Sequence, residues 1–529
     1  MNNTAASETI HAPTQQASMQ RRRGYILFTL CASLYLLPFM RIIFTGTDEG
    51  TLLYGAVRIV HGQVFARDFF EAIGPGTFYW LAAFFKVFGV TFLASRICLF
   101  ISSLGTGIIL YSLSSRICNR YQALPCLIMA ATYMGMLWPG ISHHVDSNFF
   151  GLMSVSSLIL WYAKPRHGLL IAAGSLAGVT TCIHLPKGIL LFCVFMIWMW
   201  LQRQRTSRPL LALALLAGAY LGVTTIVLVY FWSQGALEAL IYVNVVFPRQ
   251  HYSTVNTVGY AYGILRFYWD PWVGAFGSKW LIGIPAILIL PFLFIAALPP
   301  LMLLVCLRSK WKFVTPELML YWLCGWAFLL SEFHRKDIQH LVFGSPLLVI
   351  LCVHTLTESR RKLAGVALQI LAISTVCLAT LNCSVLLAAE AHTSVTRVGT
   401  VAVSGSNELL TFMDEHIRPG EEILLYPYGP TYYFLSATTN PTRYSFLLYN
   451  YNTRAQFQEV VGILDRRRVR YVIWFTEFGT EAAKQFFPGT QPLSPNDLIV
   501  EPYLESHYKV IEEDHGIRIM ERNNEGVAR

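Results

Sequence analysis

Acidic residues are scarce over most of this chain. Its first 388 residues carry 12 Asp or Glu against 27 Lys or Arg, whereas the stretch from Ala389 onward carries 18 against 13. The formal net charge of +10 therefore belongs to the part that is otherwise apolar, where basic connections orient membrane helices, and it does not point to nucleic acid. Paired cysteines are lacking as well. The eleven cysteines (Cys31, Cys98, Cys118, Cys126, Cys182, Cys193, Cys306, Cys324, Cys352, Cys377 and Cys383) fall in or beside apolar runs, and none stands in a Cys-x-x-Cys spacing. That excludes a disulfide framework and the usual zinc-binding spacings. No cysteine follows Cys383, so the C-terminal part must fold without covalent staples. No small-residue cleavage site follows the first apolar run, no internal repeat splits the chain into matching halves, and no prenyl or acyl attachment motif is present.

What the chain has is hydrophobic length. With 529 residues, 54% hydrophobic and 13% charged, and a mean hydropathy of +0.48, it is too apolar for a soluble globule and belongs to the polytopic membrane class. Met1 to Gln20 is polar and aperiodic and is expected to be a disordered tail, reaching to residue 23 in the domain division. Arg21, Arg22 and Arg23 precede a first apolar run from Gly24 to Phe44, which reads as a retained first helix with a cytoplasmic N-terminus. Further spans are expected near residues 94–115, 123–139, 147–163, 168–184, 188–201, 209–232, 281–306, 315–333, 341–357 and 363–388, about eleven in all. The cytoplasmic connections then hold Arg116 and Arg120; Lys164 and Arg166; Arg203, Arg205 and Arg208; Arg308, Lys310 and Lys312; and Arg360, Arg361 and Lys362. This agrees with the positive-inside rule at every short loop and puts the C-terminus outside.

Phe78 to Gly89 is too short to span and contains Lys86, so it reads as a surface helix; Ala236 to Phe247 reads the same way. The surrounding loop, Ser233 to Lys279, is rich in Tyr and Trp, as either an aromatic belt or a groove for a lipid chain would be. The C-terminal part, residues 389–529, is long enough for a small α/β domain. Asn407 to Ile417 and Ala455 to Arg467 read as helices, Pro419-Gly420 as a turn, and Glu422 to Tyr426 and Val469 to Phe475 as strands. Its loop from Tyr426 to Asn452, crowded with Tyr, Pro and Asn, is either a substrate-facing surface or ordinary turn chemistry.

The acidic pair Asp48-Glu49 stands where the first helix emerges. It is followed by Leu52, Leu53, Ala56, Ile59 and Val60 at helical spacing, with Thr51, Tyr54, Arg58 and His61 on the other side. This is an amphipathic surface helix holding the pair at the water boundary. The same first external loop, residues 45–93, carries Arg67, Asp68 and Glu71. Other external loops carry His143, His144 and Asp146; His184 and Lys187; and the run His334-Arg335-Lys336-Asp337-Ile338-Gln339-His340. Ionisable groups gathered at one face of a bundle are what a membrane-surface site needs. Each also has a plainer use: Asp48 as a helix N-cap, Glu49 as a first-turn acid, His143 and His144 in a turn, Arg335 with Asp337 as a local ion pair, Lys187 snorkelling.

Thr47-Asp48-Glu49-Gly50, the helix with Gly55 and Ala56, and the run Gly74-Pro75-Gly76-Thr77-Phe78-Tyr79-Trp80-Leu81 through Lys86-Val87-Phe88-Gly89 resemble the first external loop of GT-C fold membrane glycosyltransferases. The relatives are the protein O-mannosyltransferases, the aminoarabinose lipid A transferases and the bacterial glycosyltransferases of family 39 type. The small-residue run Ala172 to Gly178 leading to His184-Leu185-Pro186-Lys187-Gly188 is similar to the family's Lys-Gly-Pro type turn. The resemblance implies an α-helical GT-C membrane domain over residues 24–388 and an extracytoplasmic α/β domain over 389–529. It also implies an inverting transfer of sugar from a polyprenyl-phosphate carrier, among membrane lipids, to a lipid, glycan or protein acceptor at the outer face of the cytoplasmic membrane. It makes Asp48 the catalytic base with Glu49 as companion. The chemistry asks for the same groups, since a hydroxyl nucleophile needs a proton acceptor and a leaving phosphate needs donors. Arg58, His143, Lys187 and Arg335 are the candidates for the phosphate, and Glu71, His144, Tyr54 and His340 for the rest of the substrate. A divalent cation shared by Asp48, Glu49 and the phosphate is compatible with two adjacent carboxylates. The chain departs from the family in having Glu71-Ala72-Ile73-Gly74-Pro75-Gly76 where many relatives carry a Lys-Pro-Pro type run, so a basic residue is missing there. The rival classes are a transporter or lipid flippase, which calls for broken helices in paired repeats and charge near the midplane, and a non-catalytic envelope protein.

The topology is open to a direct test. Reporter fusions at Arg205 and Ser406 are expected to report opposite sides of the membrane; both on one side would overturn the helix count.

Overall fold

The computed structural model describes residues 15–44, 48–133, 140–264, 283–309, 315–359, 361–388, 392–404, 408–478, 484 and 487–523. Residues 1–14 of the expected disordered tail lie outside them. The first helix, α1 (Gln15–Leu36), begins early enough to contain the arginine triplet. After it come strand β1 (Ile42–Phe44) and two first-loop helices, α2 (Glu49–Val60) and α3 (Gly76–Phe88). The bundle continues as α4 (Phe92–Ile117), α5 (Leu124–Tyr133), α6 (His143–Ala163), α7 (His167–Ile183), α8 (Leu185–Leu201) and α9 (Pro209–Ser233). Helices Gly283–Ser309, Pro316–Glu332, Ile338–Gly344, Pro346–Glu358 and Lys362–Ala388 complete it.

Each expected span overlaps a helix, but the first leaves the α-helix at Leu36 and ends in β1, and residues 134–139 and 281–282 of two others lie outside the described residues. By length and composition, however, five described helices can cross a membrane, and six if Ile338–Gly344 and Pro346–Glu358, bent by 74°, count as one broken span. The others are short, or carry polar groups that neighbouring helices satisfy, so hydropathy alone does not qualify them. The chain is a multi-pass membrane protein. The small-residue face of α7 explains itself in the packing, since α7 lies against both α6 and α9. A Cβ at Gly174 would collide with the Leu216 carbonyl and one at Gly178 would meet Val223, so small residues set how close the helices come.

The C-terminal part is the expected α/β layer. Strands β4 (Ile423–Tyr426) and β5 (Tyr471–Phe475) pair in parallel, Ile423 opposite Tyr471. All four β4 residues are buried, as a strand covered on both faces requires. Helices Pro430–Ser436 and Arg454–Arg467 form the crossover, the latter opened by a Thr453–Gln456 capping box. An antiparallel hairpin, β6 (Tyr508–Asp514) and β7 (Ile517–Arg522), extends the sheet in the order β4-β5-β7-β6. A second sheet joins this part to the bundle. The hairpin of β2 (His392–Thr396) and β3 (Gly399–Ser404) takes β1, from the end of the first span, as a parallel partner of β3.

The two parts are also joined through α2. A Cβ at Gly50 would collide with the Thr431 backbone, so the start of α2 rests directly on helix Pro430–Ser436. Below, Gly74 and Gly76 let the first loop lie against the backbone of Cys182 and Ile183, at the end of α7. The orientation of α2 is set by a buried ion pair. Glu49, 1% exposed, receives both terminal guanidinium nitrogens of Arg96 from α4, and the Ile141 amide donates to it at 3.0 Å. Arg96 also donates to the Ile42 carbonyl at 3.1 Å, which links β1, α2, α4 and the entry to α6.

Breaking this pair by one partner strands the other charge in a dry interior. Arg96→Met is expected to lower stability by about 3–5 kcal/mol, and Glu49→Leu combined with Arg96→Met to recover most of that loss. Unfolding midpoints in detergent test it; additive losses would show that the two side chains are not coupled.

Candidate functional site

Asp48 occupies the N-cap position of α2, but its side chain makes no capping hydrogen bond. The plain N-cap use is therefore not taken up. Its side chain is solvent-exposed and faces the chamber where Tyr428 of the C-terminal domain meets Arg335 and His340 of the bundle. Tyr428 of that domain donates to its Oδ1 at 3.3 Å. Enclosure raises the Asp48 carboxyl above the ordinary carboxylate range, while the Tyr428 hydroxyl and the charges of Arg335 and His340 pull it back. Glu71, 9% exposed, is close enough to feel Asp48, and among the described residues its Oε1 has no hydrogen-bond partner, the Ser445 hydroxyl being its nearest donor. Burial pushes Glu71 up to about 8, with Asp48 adding to the shift and Arg58 opposing it. Tyr252 and Tyr451 stand beside these groups, ring centroids 5.8 Å apart.

Arg335 reaches the chamber from the turn after helix Pro316–Glu332. It pairs with Asp337, donates to Asn256 Oδ1 at 2.7 Å and lies over the Phe487 ring at 5.4 Å. The local ion pair foreseen for Arg335 is present, and the guanidinium still acts electrostatically on Asp48. Asp337 caps helix Ile338–Gly344 by accepting from the His340 amide at 2.9 Å, and it also accepts from His340 Nδ1 at 2.8 Å.

Behind the chamber the ends of four helices converge on Glu332, the last residue of its helix and 1% exposed. His144 Nδ1 stands 3.1 Å from its carboxylate, His184 Nε2 3.6 Å and Lys187 Nζ 2.8 Å. Ser142 positions the histidine pair by capping α6, accepting from the His144 amide at 3.1 Å. His340 approaches His144 edge-on with centroids 5.1 Å apart, and His143 lies 3.9 Å from His144. The structure thus brings together His143, His144, His184, Lys187 and His340, which the sequence scatters over three loops. Glu332, the group that holds them, was not foreseen. An acidic residue closing an apolar helix was the available signal.

Other expected site residues are used by the fold. Glu49 turns inward to Arg96, away from Asp48, so the two carboxylates are not arranged to share a cation. Lys187 does not snorkel: it is 0% exposed, and besides Glu332 it donates to Ser147 Oγ at 3.0 Å and Asn148 Oδ1 at 2.7 Å, which occupies all three donors. Arg58 donates to the carbonyls of Thr442 at 3.2 Å and Asp68 at 2.8 Å, tying α2 to the C-terminal domain. The Tyr54 hydroxyl accepts from the Asn440 amide at 2.7 Å and its ring stacks on Tyr433 at 4.7 Å. The aromatic loop after Tyr426 is therefore both domain interface and, through Tyr428 and Tyr451, chamber wall.

No family model and no curated protein matches this chain. Solved structures do. The crystal structure of ArnT from Cupriavidus metallidurans bound to undecaprenyl phosphate is similar at a TM-score of 0.56 and 14% identity, covering 95% of this chain and 98% of that one. The same protein in the apo state gives a TM-score of 0.55 and 12% identity, over 94% and 98%. The likeness extends through both the bundle and the C-terminal domain, and the fold is the GT-C fold.

The raised Glu71 sets a pH dependence. Between about 4.5 and about 8 the folded chain holds a proton that the unfolded chain has lost, so stability is expected to fall as pH rises through that window. Glu71→Gln, which cannot ionise, should flatten the decline in unfolding midpoint; an equally steep decline in the variant would show that Glu71 is not its source.

Proposed function

We infer that this protein transfers a sugar from a polyprenyl-phosphate carrier to an acceptor hydroxyl at the outer face of the cytoplasmic membrane. The observation that carries the reading is Asp48: a carboxylate that does not cap its helix, placed beside Arg335, His340 and Tyr428 in the chamber between the two parts. The undecaprenyl phosphate bound to ArnT, which shares the fold, supports a polyprenyl phosphate as the carrier. Residues 24–388 are then the membrane transferase part and 389–529 the extracytoplasmic domain, with the N-terminus, residues 1–23, cytoplasmic.

In this reading Asp48 accepts the proton of the acceptor hydroxyl as its oxygen attacks the anomeric carbon. The bond from that carbon to the phosphate oxygen breaks on the opposite side, and the lipid phosphate leaves with the electron pair. One base and one displacement give inversion, in contrast to the two-carboxylate retaining scheme. A base works best with a pKa near the operating pH, and the enclosure that raises Asp48 moves it in that direction. Arg335 is the cation placed for the departing phosphate. Glu71, neutral near pH 7, donates a hydrogen bond to a sugar hydroxyl. Glu49, Arg58, Tyr54 and Lys187 support the site from the interior, while His143, His144 and His340 line it.

Lipids co-purifying with the protein test the reading. Asp48→Asn is expected to lower transfer about 10²–10⁴-fold and to retain a polyprenyl-phosphate sugar that the wild type has consumed. Arg335→Ala should raise the donor concentration needed for half-maximal rate. Normal turnover in Asp48→Asn would remove the catalytic assignment, and the absence of any such lipid from both proteins would remove the transferase reading.

A further inference from the structure

The histidine cluster behind the chamber contains more nitrogen ligands than hydrogen bonding requires. One ring nitrogen from each of His143, His144 and His184 lies within 4.8 Å of the others. Glu332 fixes one of the three rings: His144 Nδ1–H is directed at its carboxylate at 3.2 Å, which leaves His144 Nε2 with a free lone pair. His184 Nε2 stands 3.6 Å from the carboxylate, beyond hydrogen-bond distance, and among the described residues its buried Nδ1 has no hydrogen-bond partner. His143, from the same helix start, is half-buried and supplies the third ring.

We propose that His143, His144 and His184 bind a divalent transition metal, Zn²⁺ by ligand type, whose remaining position takes a phosphate oxygen of the lipid donor. Three imidazoles with one open position is a familiar arrangement for zinc that engages a substrate. Ring rotations of about 1 Å would bring the nitrogens to the roughly 3.4 Å separation that tetrahedral Zn–N bonds of about 2.05 Å require. Glu332 acts outside the ligand set, orienting the His144 ring through a hydrogen bond, and Lys187 balances its charge.

The charge balance points to an anion as the fourth ligand. Three neutral imidazoles leave the metal with its full double charge, and the adjacent Glu332 is already compensated by Lys187 at 2.8 Å. A phosphate beside the metal offsets that charge, with the Asp48 chamber next to it through His340. The inference rests on the lipid-phosphate reading for its ligand but not for its metal.

The test uses the full chain in detergent, stripped with a chelator, reloaded with Zn²⁺ and passed through a desalting column. About one equivalent is expected in the wild type and in His167→Ala, a control outside the cluster, and under about a tenth in His143→Ala and His184→Ala. X-ray absorption of the loaded wild type should show imidazole nitrogens near 2.0 Å, which keeps the proposal testable if a variant does not fold. Zinc retained by both folded variants, no zinc in the wild type, or a sulfur shell from the cysteines would overturn the site. In the Co²⁺-loaded protein, dodecyl phosphate should shift the visible absorption and inorganic phosphate should do so only at higher concentration; no shift with either overturns the phosphate ligand. A metal-loaded protein that transfers no sugar would end the transferase reading and leave the metal site standing.

Discussion

The buried pair of Glu49 and Arg96 is the constraint on which the arrangement between the bundle and the C-terminal domain depends. Two consecutive carboxylates begin α2, and successive helical residues point about 100° apart. Committing Glu49 to Arg96, to the Ile141 amide and to the junction with β1 therefore aims Asp48 the other way, into the chamber. In an interior with little water an ionised Glu49 without Arg96 would be severely destabilising, so the pair fixes α2 far more firmly than a surface salt bridge would.

From that fixed helix the C-terminal domain takes its position. Gly50 brings the Thr431 backbone against α2, Tyr54 stacks on Tyr433, and Arg58 reaches two carbonyls on either side of the interface. The domain is thus docked by residues of the membrane part, and through Tyr428 and Tyr451 it closes the chamber above Asp48. The Glu332 cluster makes the opposite wall. His184 and Lys187, from the start of α8, and His144, from α6, come to one carboxylate because a lone ionised group at the end of an apolar helix is costly without partners.

The fold was largely legible in the residues. Long apolar runs marked every helix of the bundle, Phe78 to Gly89 read as a surface helix and is α3 within two residues, and the β4-helix-β5 order followed from periodicity and a single turn. The β6-β7 hairpin and the second sheet were not foreseen, because short charged strands such as Tyr508–Asp514 have no alternating apolar face to betray them. The site was legible as a place more than as a set of roles. The expectation that loops at one end of the bundle would hold the histidines together is met, since His143, His144, His184 and His340 converge on Glu332. Whether Arg58, Tyr54, Lys187 and Glu49 face substrate or hold the fold together depends on partners hundreds of residues away. Arg96, a lone arginine within an apolar run, and Glu332, at the end of one, did carry a signal: each implied a buried partner of opposite charge.

The sequence by itself determined that this is a multi-pass membrane protein with a small α/β part after residue 388, since bilayer thickness and strand periodicity are read locally. It also determined that an acidic pair stands at the mouth of the first helix. Only the tertiary structure decided which acid of that pair stays free. Glu49 is neutralised by a guanidinium that α4 brings from 47 residues away, whereas Asp48 faces Tyr428 and feels Arg335 and His340. Two adjacent carboxylates are chemically near-equivalent along the chain, and what separates them is which one the folded interior encloses with a charge.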